Sequence, residues 1–371
     1  ALGTAAQAAV GPDQPDAPSS GSLTIHKYLG QPTNPALPNN GTDLNPAPEN
    51  DKPADGVEFT IQQVGVQDDE DCVPIGLKTP AGWDQVAAAT AGAPALPYCL
   101  KDVANGTKST VGGVAEFTGL DLGLYYVTEG EDTGGNNIVR KASPFYVTVP
   151  YPSGEQAVGE NTVVEWTYKV HVYPKNATAD VPTKTIDETQ HGLKVGDKVT
   201  WTITQTVPTL HEGDKFTQAQ ITDVLDSRLT LDSATIKLDG VELASTDWEK
   251  INPEHTWSFT PAGRVKLDAA MGKDITVELN TTVTSVGSGE IDNGPWNPDT
   301  NKGYYSQFNN EPPHTGDDDP FTYWGELKIT KVDESNRAKG LEGAEFSVFE
   351  GPESGECPAT SSGTPIAKGE S

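Results

Sequence analysis

Basic residues are scarce in this chain. Its 371 residues include 25 Lys and Arg against 54 Asp and Glu, which gives a formal net charge of −29. A charge of this sign repels nucleic-acid phosphates and anionic membrane surfaces, so we expect neither as a partner. Long apolar runs are missing as well, since no segment approaches the roughly 18 apolar residues of a membrane-spanning helix. The sequence therefore predicts no nucleic-acid partner and no membrane span.

Cysteine and methionine are also rare, with three Cys and one Met. Cys72 and Cys99 lie among turn residues, and we interpret them as a disulfide that pins an inserted segment; two free thiols are the alternative. Cys357 then has no partner within the sequence, so we expect it to be free or paired beyond Ser371. The low counts of both residues are consistent with an exported protein.

Apolar and polar residues alternate through much of the chain, with the period of two that half-buried strands show. Residues 166–172, 199–207 and 275–283 have this pattern, and the only helix candidate is the short Ala-rich segment 83–91. Glycine (38 residues) and proline (29 residues) are abundant between the candidate strands. We therefore predict an all-β fold of tandem Ig-like β-sandwich domains in an elongated row.

Two pairs of matching segments indicate the domain organisation. The pattern G-x-L-x-I-x-K occurs at residues 21–27 and 325–331, and residues 56–61 match residues 343–348 in the same order. The second copy stops at Ser371, too early to complete a sandwich, so we expect that domain to continue further. The predicted organisation is a flexible segment 1–20, a first domain 21–176, a different unit 177–323, and the start of a third domain 324–371.

Several polar side chains share strand parity with apolar neighbours and are therefore predicted to point inward. They are Lys27, Lys184, Lys331, Glu129, Asp223, Asn176 and Asn310, with Asn309 replacing Asn310 if the register slips by one residue. A buried charge is costly unless it is paired or neutralised. Each complete domain thus combines an inward Lys on its first strand, an inward Asn on its last strand and an inward acid between them.

An inward Lys, acid and Asn can react with one another. Desolvation lowers the pKa of an amine and raises that of a carboxyl, so that a neutral amine can face a protonated acid. The amine can then attack the Asn amide carbonyl, which the acid polarises, and an isopeptide bond forms with loss of ammonia. The alternative is an ordinary buried ion pair between the lysine and the acid.

Three segments are informative together: Val172-Tyr173-Pro174-Lys175, Leu124–Glu129 and Leu327–Phe349. They resemble, in this order, the pilin motif, the E-box and the start of a Cna B-type domain of sortase-assembled shaft pilins of Gram-positive bacteria, most closely the actinobacterial three-domain SpaA or Actinomyces fimbrillin type. The resemblance implies Cna A-type and Cna B-type sandwiches and makes Lys175 the acceptor lysine for sortase. Strand parity turns Lys175 outward, which suits an acceptor but equally suits an ordinary surface lysine.

The resemblance also implies cross-links, partners and location. Acids Glu129 and Asp223 would promote the bonds Lys27–Asn176 and Lys184–Asn310 (fallback Asn309), and Lys331 would be a third nucleophile whose partners are not in the chain. The product would be a secreted, cell-wall anchored pilus of a Gram-positive bacterium, in which copies of the chain are joined head to tail. The implied partners are a class C pilin sortase and a tip or minor pilin. The L-P-x-T-G sorting signal of the family is not present in these residues.

Other functions stay open beside this structural one, which requires no turnover and no cofactor. A surface adhesin could bind a glycan or a host matrix protein through residues 31–55 or near Cys72 and Cys99, although residues 31–55 contain no aromatic residue. A secreted glycosidase could use paired carboxylates, although the seven Trp are scattered along the chain. For the acidic segments 68–71, 297–303 and 317–319, a structural calcium ion is the alternative to solvated turns.

Overall fold

The structure of the protein is a computed structural model. It describes residues 10–29, 40–44, 52–91, 94–158, 161–187, 195–251, 255–325, 327–349, 351, 363–365 and 367–371. Cys357 and most of the predicted binding loop 31–55 lie outside these residues. The chain divides into two compact units, one of residues 1–179 with 208–213 and one of residues 180–207 with 214–371. Short strands dominate both units, which confirms the predicted all-β class.

The first unit is a two-sheet, Ig-like sandwich. Its elements are β1 (Ser20–His26), β2 (Tyr28–Leu29), β3 (Lys52–Pro53), β4 (Val57–Asp68), β5 (Asp71–Pro74), α1 (Pro80–Ala89), β6 (Tyr98–Ser109), β7 (Val114–Asp121), β8 (Gly123–Asp132), β9 (Ile138–Arg140), β10 (Phe145–Val149), β11 (Tyr151–Val158), β12 (Asn161–Thr167), β13 (Lys169–Val172) and β14 (Ala177–Thr178). One sheet has the strand order β13-β1-β7, and the other has the order β10-β8-β4-β5 with β6 also on β4. Three two-stranded ladders, β2-β3, β11-β12 and β9-β14, complete the unit.

Strand β1 places its apolar residues in the core of the first unit. Leu23 and Ile25 are completely buried and pack in one cluster with residues of β4, β7, β8 and β10. Strand β1 pairs in parallel with β13, with Ile25 opposite Val172. An early and a late strand of the unit therefore run side by side and end together, just before Lys27 and the segment 173–176.

The second unit is also a two-sheet sandwich. Its elements are β15 (Thr183–Ile186), β16 (Lys198–Thr206), β17 (Ala219–Val224), β18 (Leu229–Leu238), β19 (Val241–Glu242), β20 (Trp248–Ile251), β21 (Thr256–Phe259), α2 (Pro261–Asp268), β22 (Asp274–Val283), β23 (Glu290–Asp292), β24 (Gly303–Phe308), β25 (His314–Thr315), β26 (Phe321–Tyr323), β27 (Glu345–Val348) and β28 (Ala367–Glu370). Its sheets have the orders β15-β16-β22-β18-β19 and β20-β21-β17-β24-β25, accompanied by the ladders β23-β26 and β27-β28. Its interior contains completely buried residues of both sheets, among them Trp201, Val277, Trp257 and Tyr304.

The disulfide predicted between Cys72 and Cys99 is present, with the two Cα atoms 5.8 Å apart. Strands β5 and β6 flank β4 on opposite sides, since Gly65 of β4 pairs with Pro74 on one side and with Cys99 on the other. The bond therefore crosses β4 and joins its two neighbours. A Cβ at Gly65 would lie 2.8 Å from the Cys72 sulfur, so this crossing requires glycine.

Both helices begin with the same four residues, Thr-Pro-Ala-Gly. At α1 the Thr79 hydroxyl accepts the Gly82 N–H at 3.2 Å, and Pro80 occupies a position where no backbone donor is needed. At α2 Thr260 caps Gly263 in the same way. The helix predicted at 83–91 therefore starts three residues earlier, and α2 escaped prediction because its eight residues have no extended apolar pattern.

Residues 327–331, in the predicted first strand of the third domain, are not part of a strand. Leu327 and Ile329 are 68% and 43% exposed, and Lys331 is exposed beside them. Among the described residues after 326, the only ladder is the hairpin β27-β28, which offers no second layer to cover an apolar face. The prediction that Lys331 points inward is therefore wrong here.

Candidate functional site

The first candidate site is centred on Lys27, which follows β1 and is completely buried. Its Nζ donates to Glu129 Oε2 at 3.0 Å and to the backbone oxygen of Pro174 at 3.2 Å, and it also contacts Asn176 Oδ1. Asn176 Nδ2 in turn donates to Glu129 Oε1 at 2.5 Å. Lys27, Glu129 and Asn176 thus form a closed ring of hydrogen bonds.

Strand geometry explains how these three residues meet. Glu129 lies on β8, whose alternation turns it toward the interior, and its side chain is 1% exposed. Lys27 and Asn176 follow the paired ends of β1 and β13, and Asn176 is 1% exposed. Burial lowers the pKa of Lys27, and the Glu129 carboxylate opposes this shift. The site therefore moves the amine toward its neutral, nucleophilic form while an amide lies against it.

The second candidate site is built around Lys184 of β15 and Asp223 of β17, whose side chains have no exposed surface. Lys184 Nζ donates to Asp223 Oδ2 at 2.6 Å and lies 5.5 Å from the ring centroid of Trp201 and 5.2 Å from that of Tyr304. Desolvation among these rings lowers the pKa of Lys184 to about 8, although Asp223 opposes the shift. This site therefore also moves its amine toward the neutral form.

Asn293 is the amide that the structure brings to this pair. It follows β23, is 2% exposed, and donates from Nδ2 to the same Asp223 oxygen at 3.4 Å. Asn293 Oδ1 and Asp223 Oδ1 are both buried and have no hydrogen-bond partner in the described part of the chain. Sequence reasoning missed Asn293, although its parity with the fully buried Ile291 was an available signal.

Asn310, predicted as the partner of Lys184, lies elsewhere. Strand β24 ends at Phe308, and Asn309 and Asn310 follow in left-handed backbone conformations with φ of 53° and 61°. Asn310 is exposed, and its backbone N–H donates to the Gln218 side chain at 3.2 Å. Both the prediction of Asn310 and the fallback Asn309 are therefore wrong, because alternation cannot be extended past the end of a strand.

The predicted pilin motif follows β13 at the first site. Lys175 is exposed, whereas its neighbour Asn176 is buried. Val172 and Tyr173 are half-buried. An accessible amine thus stands one residue away from the buried amide of the first site.

The Tyr173 ring belongs to a cluster with two histidines and an acid. It stacks on His26 with ring centroids 4.6 Å apart, and His26 Nε2 lies 2.8 Å from His171 Nδ1. Asp43 Oδ1 accepts the Tyr173 hydroxyl at 2.9 Å. Burial lowers the pKa of His26, charge on His171 lowers it further, and Asp43 opposes both effects. Burial raises the pKa of the Tyr173 hydroxyl, because it disfavours the charged phenolate.

Comparison with known proteins shows what the chain is similar to. Residues 18–177 match the sequence family described as the Gram-positive pilin subunit D1, N-terminal domain. The first unit is therefore similar to a Gram-positive pilin domain. The chain is 33% identical over 359 residues to the fimbrial subunit type 2 of Actinomyces naeslundii, and the match covers 89% of this chain and 64% of the relative. It is 29% identical to the fimbrial subunit type 1 of Actinomyces viscosus, with 69% of this chain and 46% of that relative covered.

Among solved structures, the full-length major pilin SpaD from Corynebacterium diphtheriae is similar to this chain. The two share 25% sequence identity with a TM-score of 0.59, and the match covers 88% of this chain and 72% of that one. Of the two fimbrial subunits compared above, the chain spans less than two thirds of the length of each. Both curated relatives are fimbrial subunits by name. No helix in the described ranges is long and apolar enough to span a membrane.

Proposed function

We propose that this chain is the repeating shaft subunit of a covalently polymerised pilus, stabilised by two internal isopeptide bonds. The single observation that carries the proposal is the pair of buried Lys–acid–amide sites, one in each sandwich. The proposed bonds are Lys27–Asn176, promoted by Glu129, and Lys184–Asn293, promoted by Asp223.

The contacts at the first site support formation of the isopeptide bond between Lys27 and Asn176. The neutral Lys27 amine attacks Asn176 Cγ and forms a C–N bond, while Glu129 donates a proton to the amide and takes one from the amine. The bond from Cγ to Nδ2 then breaks, and Nδ2 leaves as ammonia. Glu129 reaches both nitrogens, at 3.0 Å and 2.5 Å, so one carboxyl can serve both proton transfers.

The second site has the same chemical parts. Lys184 Nζ and Asn293 Nδ2 both donate to Asp223 Oδ2, so amine and amide meet at one carboxylate oxygen. A proton on Asp223 would also supply a donor for the buried Asn293 Oδ1, which has none in the described part of the chain. An ordinary ion pair does not require a buried amide beside it. The buried amide of Asn293 therefore favours a reacting triad over a simple ion pair.

The proposed bonds would make the subunit resistant to force. In the first unit the bond would join the end of β1 to the segment just after β13, and these two strands are neighbours. Tension would then pass through a covalent link, whereas a ladder hydrogen bond contributes only about 1 kcal/mol net.

Lys175 would continue this covalent path between subunits. Its exposed amine would attack the thioester that a class C pilin sortase forms with another copy, creating an amide bond and releasing the sortase thiol. We extend the proposal to a secreted, cell-wall anchored pilus of a Gram-positive bacterium with a tip or minor pilin. The exposure of Lys175 beside the buried first site supports its role as the acceptor lysine.

An acceptor assay tests the role of Lys175. The folded chain is incubated with a class C pilin sortase and a fluorescent peptide that carries a sorting motif, and the labelled residue is located by mass spectrometry. Lys175→Arg should lose the label, whereas Lys169→Arg, a control at a neighbouring exposed lysine, should keep it. Undiminished labelling of Lys175→Arg would refute Lys175 as the acceptor.

A further inference from the structure

Two histidines and an aspartate meet on one side of the first unit, in a group that the proposed polymer chemistry does not use. His26 ends β1, His171 lies on the neighbouring β13, and Asp43 lies in the described segment 40–44. Their possible ligand atoms all lie within 4.8 Å of one another. Among the described residues, this is the only such group of three or more His, Cys, Asp or Glu.

We propose that His26, His171 and Asp43 bind one divalent transition-metal ion, of which zinc is the type that best suits these ligands. Two imidazole nitrogens and one carboxylate oxygen are ligands that zinc takes readily. Calcium and magnesium prefer sets made of oxygen atoms only, so neither fits this group.

The spacing of the three atoms is close to that of a metal site. Tetrahedral zinc with bonds of about 2.0–2.1 Å holds its ligand atoms about 3.3 Å apart. The observed separations are 2.8 Å between His26 Nε2 and His171 Nδ1, and 3.8 Å and 3.7 Å from these nitrogens to Asp43 Oδ1. Shifts of roughly half an ångström would therefore admit an ion.

Neighbouring groups hold the three ligands in place. The Tyr173 hydroxyl donates to Asp43 Oδ1 and accepts the Leu44 N–H at 2.8 Å. The Tyr173 ring lies nearly parallel to His26, with 9° between their planes, and fixes its orientation. The backbone N–H of His171 donates to the oxygen of Gly41 at 2.8 Å, which ties the segment carrying Asp43 to β13. Such supporting contacts are what metal sites use to orient their ligands.

The geometry leaves room for a fourth ligand. The side chains of His26 and His171 are 13% and 19% exposed, whereas that of Asp43 is 57% exposed, so the group opens to solvent on the acid's side. A water molecule can complete four-coordination there. An ion bound in this way would join β1, β13 and the segment 40–44, and would stabilise the first unit because it binds the folded state alone.

Metal titration of the untagged, chelator-treated chain tests this site. Calorimetry with zinc chloride, and the visible spectrum with cobalt chloride, should show one saturable tetrahedral site per chain. The double variant His26→Gln/His171→Gln should lose it, and His255→Gln, which removes a histidine of the second unit, should retain it. Tyr173→Phe keeps the stacked ring but removes the hydroxyl on Asp43, so its zinc affinity should fall about 10- to 100-fold.

Imidazole resonances give a second readout that needs no variant. Zinc should shift the ring C–H signals of His26 and His171 in the unaltered chain at one equivalent. No saturable binding, equal binding by the double variant, or zinc binding that leaves these two signals unmoved would overturn the proposal.

Discussion

Replacing Asn293 with alanine separates the proposed Lys184–Asn293 bond from an ordinary buried ion pair. Asn293→Ala removes the amide that the reaction needs but leaves the 2.6 Å contact between Lys184 and Asp223 intact. If the chain contains only an ion pair, the variant loses one hydrogen bond of 3.4 Å and a small side chain. If the bond forms, the variant loses a covalent cross-link.

The two cases differ in the size of the effect. A cross-link from Lys184 to Asn293 closes a loop of about 110 residues, and by the chain-entropy relation for cross-links such a closure contributes about 5 kcal/mol. For a unit of this size each kcal/mol corresponds to about 2–4 °C, so the melting temperature should fall by about 10–20 °C. Loss of a hydrogen bond alone costs about 1 kcal/mol, which corresponds to a few degrees.

Differential scanning calorimetry on both variants and the parent measures the effect. Asn310→Gly is the matched control, since it removes an exposed amide at a residue whose φ of 61° glycine adopts readily. The control should melt within a few degrees of the parent. If Asn293→Ala also melts within a few degrees of the parent, Lys184 and Asn293 are not cross-linked.

Three further predictions follow from the geometry. In Asn293→Ala the free energy of unfolding should rise between pH 8 and 10. The pKa of Lys184 is about 8 in the folded chain and 10.5 for an unperturbed lysine. In this pH range the unfolded chain therefore holds a proton on Lys184 that the folded chain has lost, and raising the pH favours the folded chain. Urea titrations should show this rise, up to about 3 kcal/mol, and equal curves in Asn293→Ala/Lys184→Met would contradict it. Glu129→Gln should leave the first bond unformed and raise the mass by one ammonia, about 17 Da, relative to the parent, allowing for the substitution; an unchanged ammonia loss would show that the acid is dispensable. Gly263→Ala should lower the melting temperature by several degrees, since the added Cβ would lie 1.9 Å from the Asp247 carbonyl oxygen. A variant as stable as the parent would show that α2 can shift away from Asp247 at no cost in stability.

Strand parity predicted the burial of Lys27 and Lys184 because both lie on or beside regular strands. The period of two is a local property, so two or three apolar neighbours are enough to assign a face. Leu23 and Ile25 are therefore enough to predict that Lys27 points inward. The mutual contacts of the first site, in contrast, depend on pairing between β1 and β13 across nearly the whole unit, which parity alone does not encode.

The same method failed where strands end or are short. Parity was carried from Tyr304 to Asn310 across the end of β24 at Phe308, where two positive φ angles break the alternation. Asn293 follows a strand of only three residues, in which Ile291 is the single apolar residue that indicates a face. The contact of His26 and His171 with Asp43 also had no signal in sequence, because it arises from strand pairing and from a segment held by Tyr173.

Intact mass of the purified chain under non-reducing conditions tests the cross-links most directly. Two isopeptide bonds should give a mass below that of the sequence by two ammonias, about 34 Da, beyond the two hydrogens lost in the Cys72–Cys99 bond. Fragmentation of a digest should place one bond on Lys27 and Asn176 and the other on Lys184 and Asn293. A mass that lacks only the disulfide hydrogens would show that neither isopeptide bond forms.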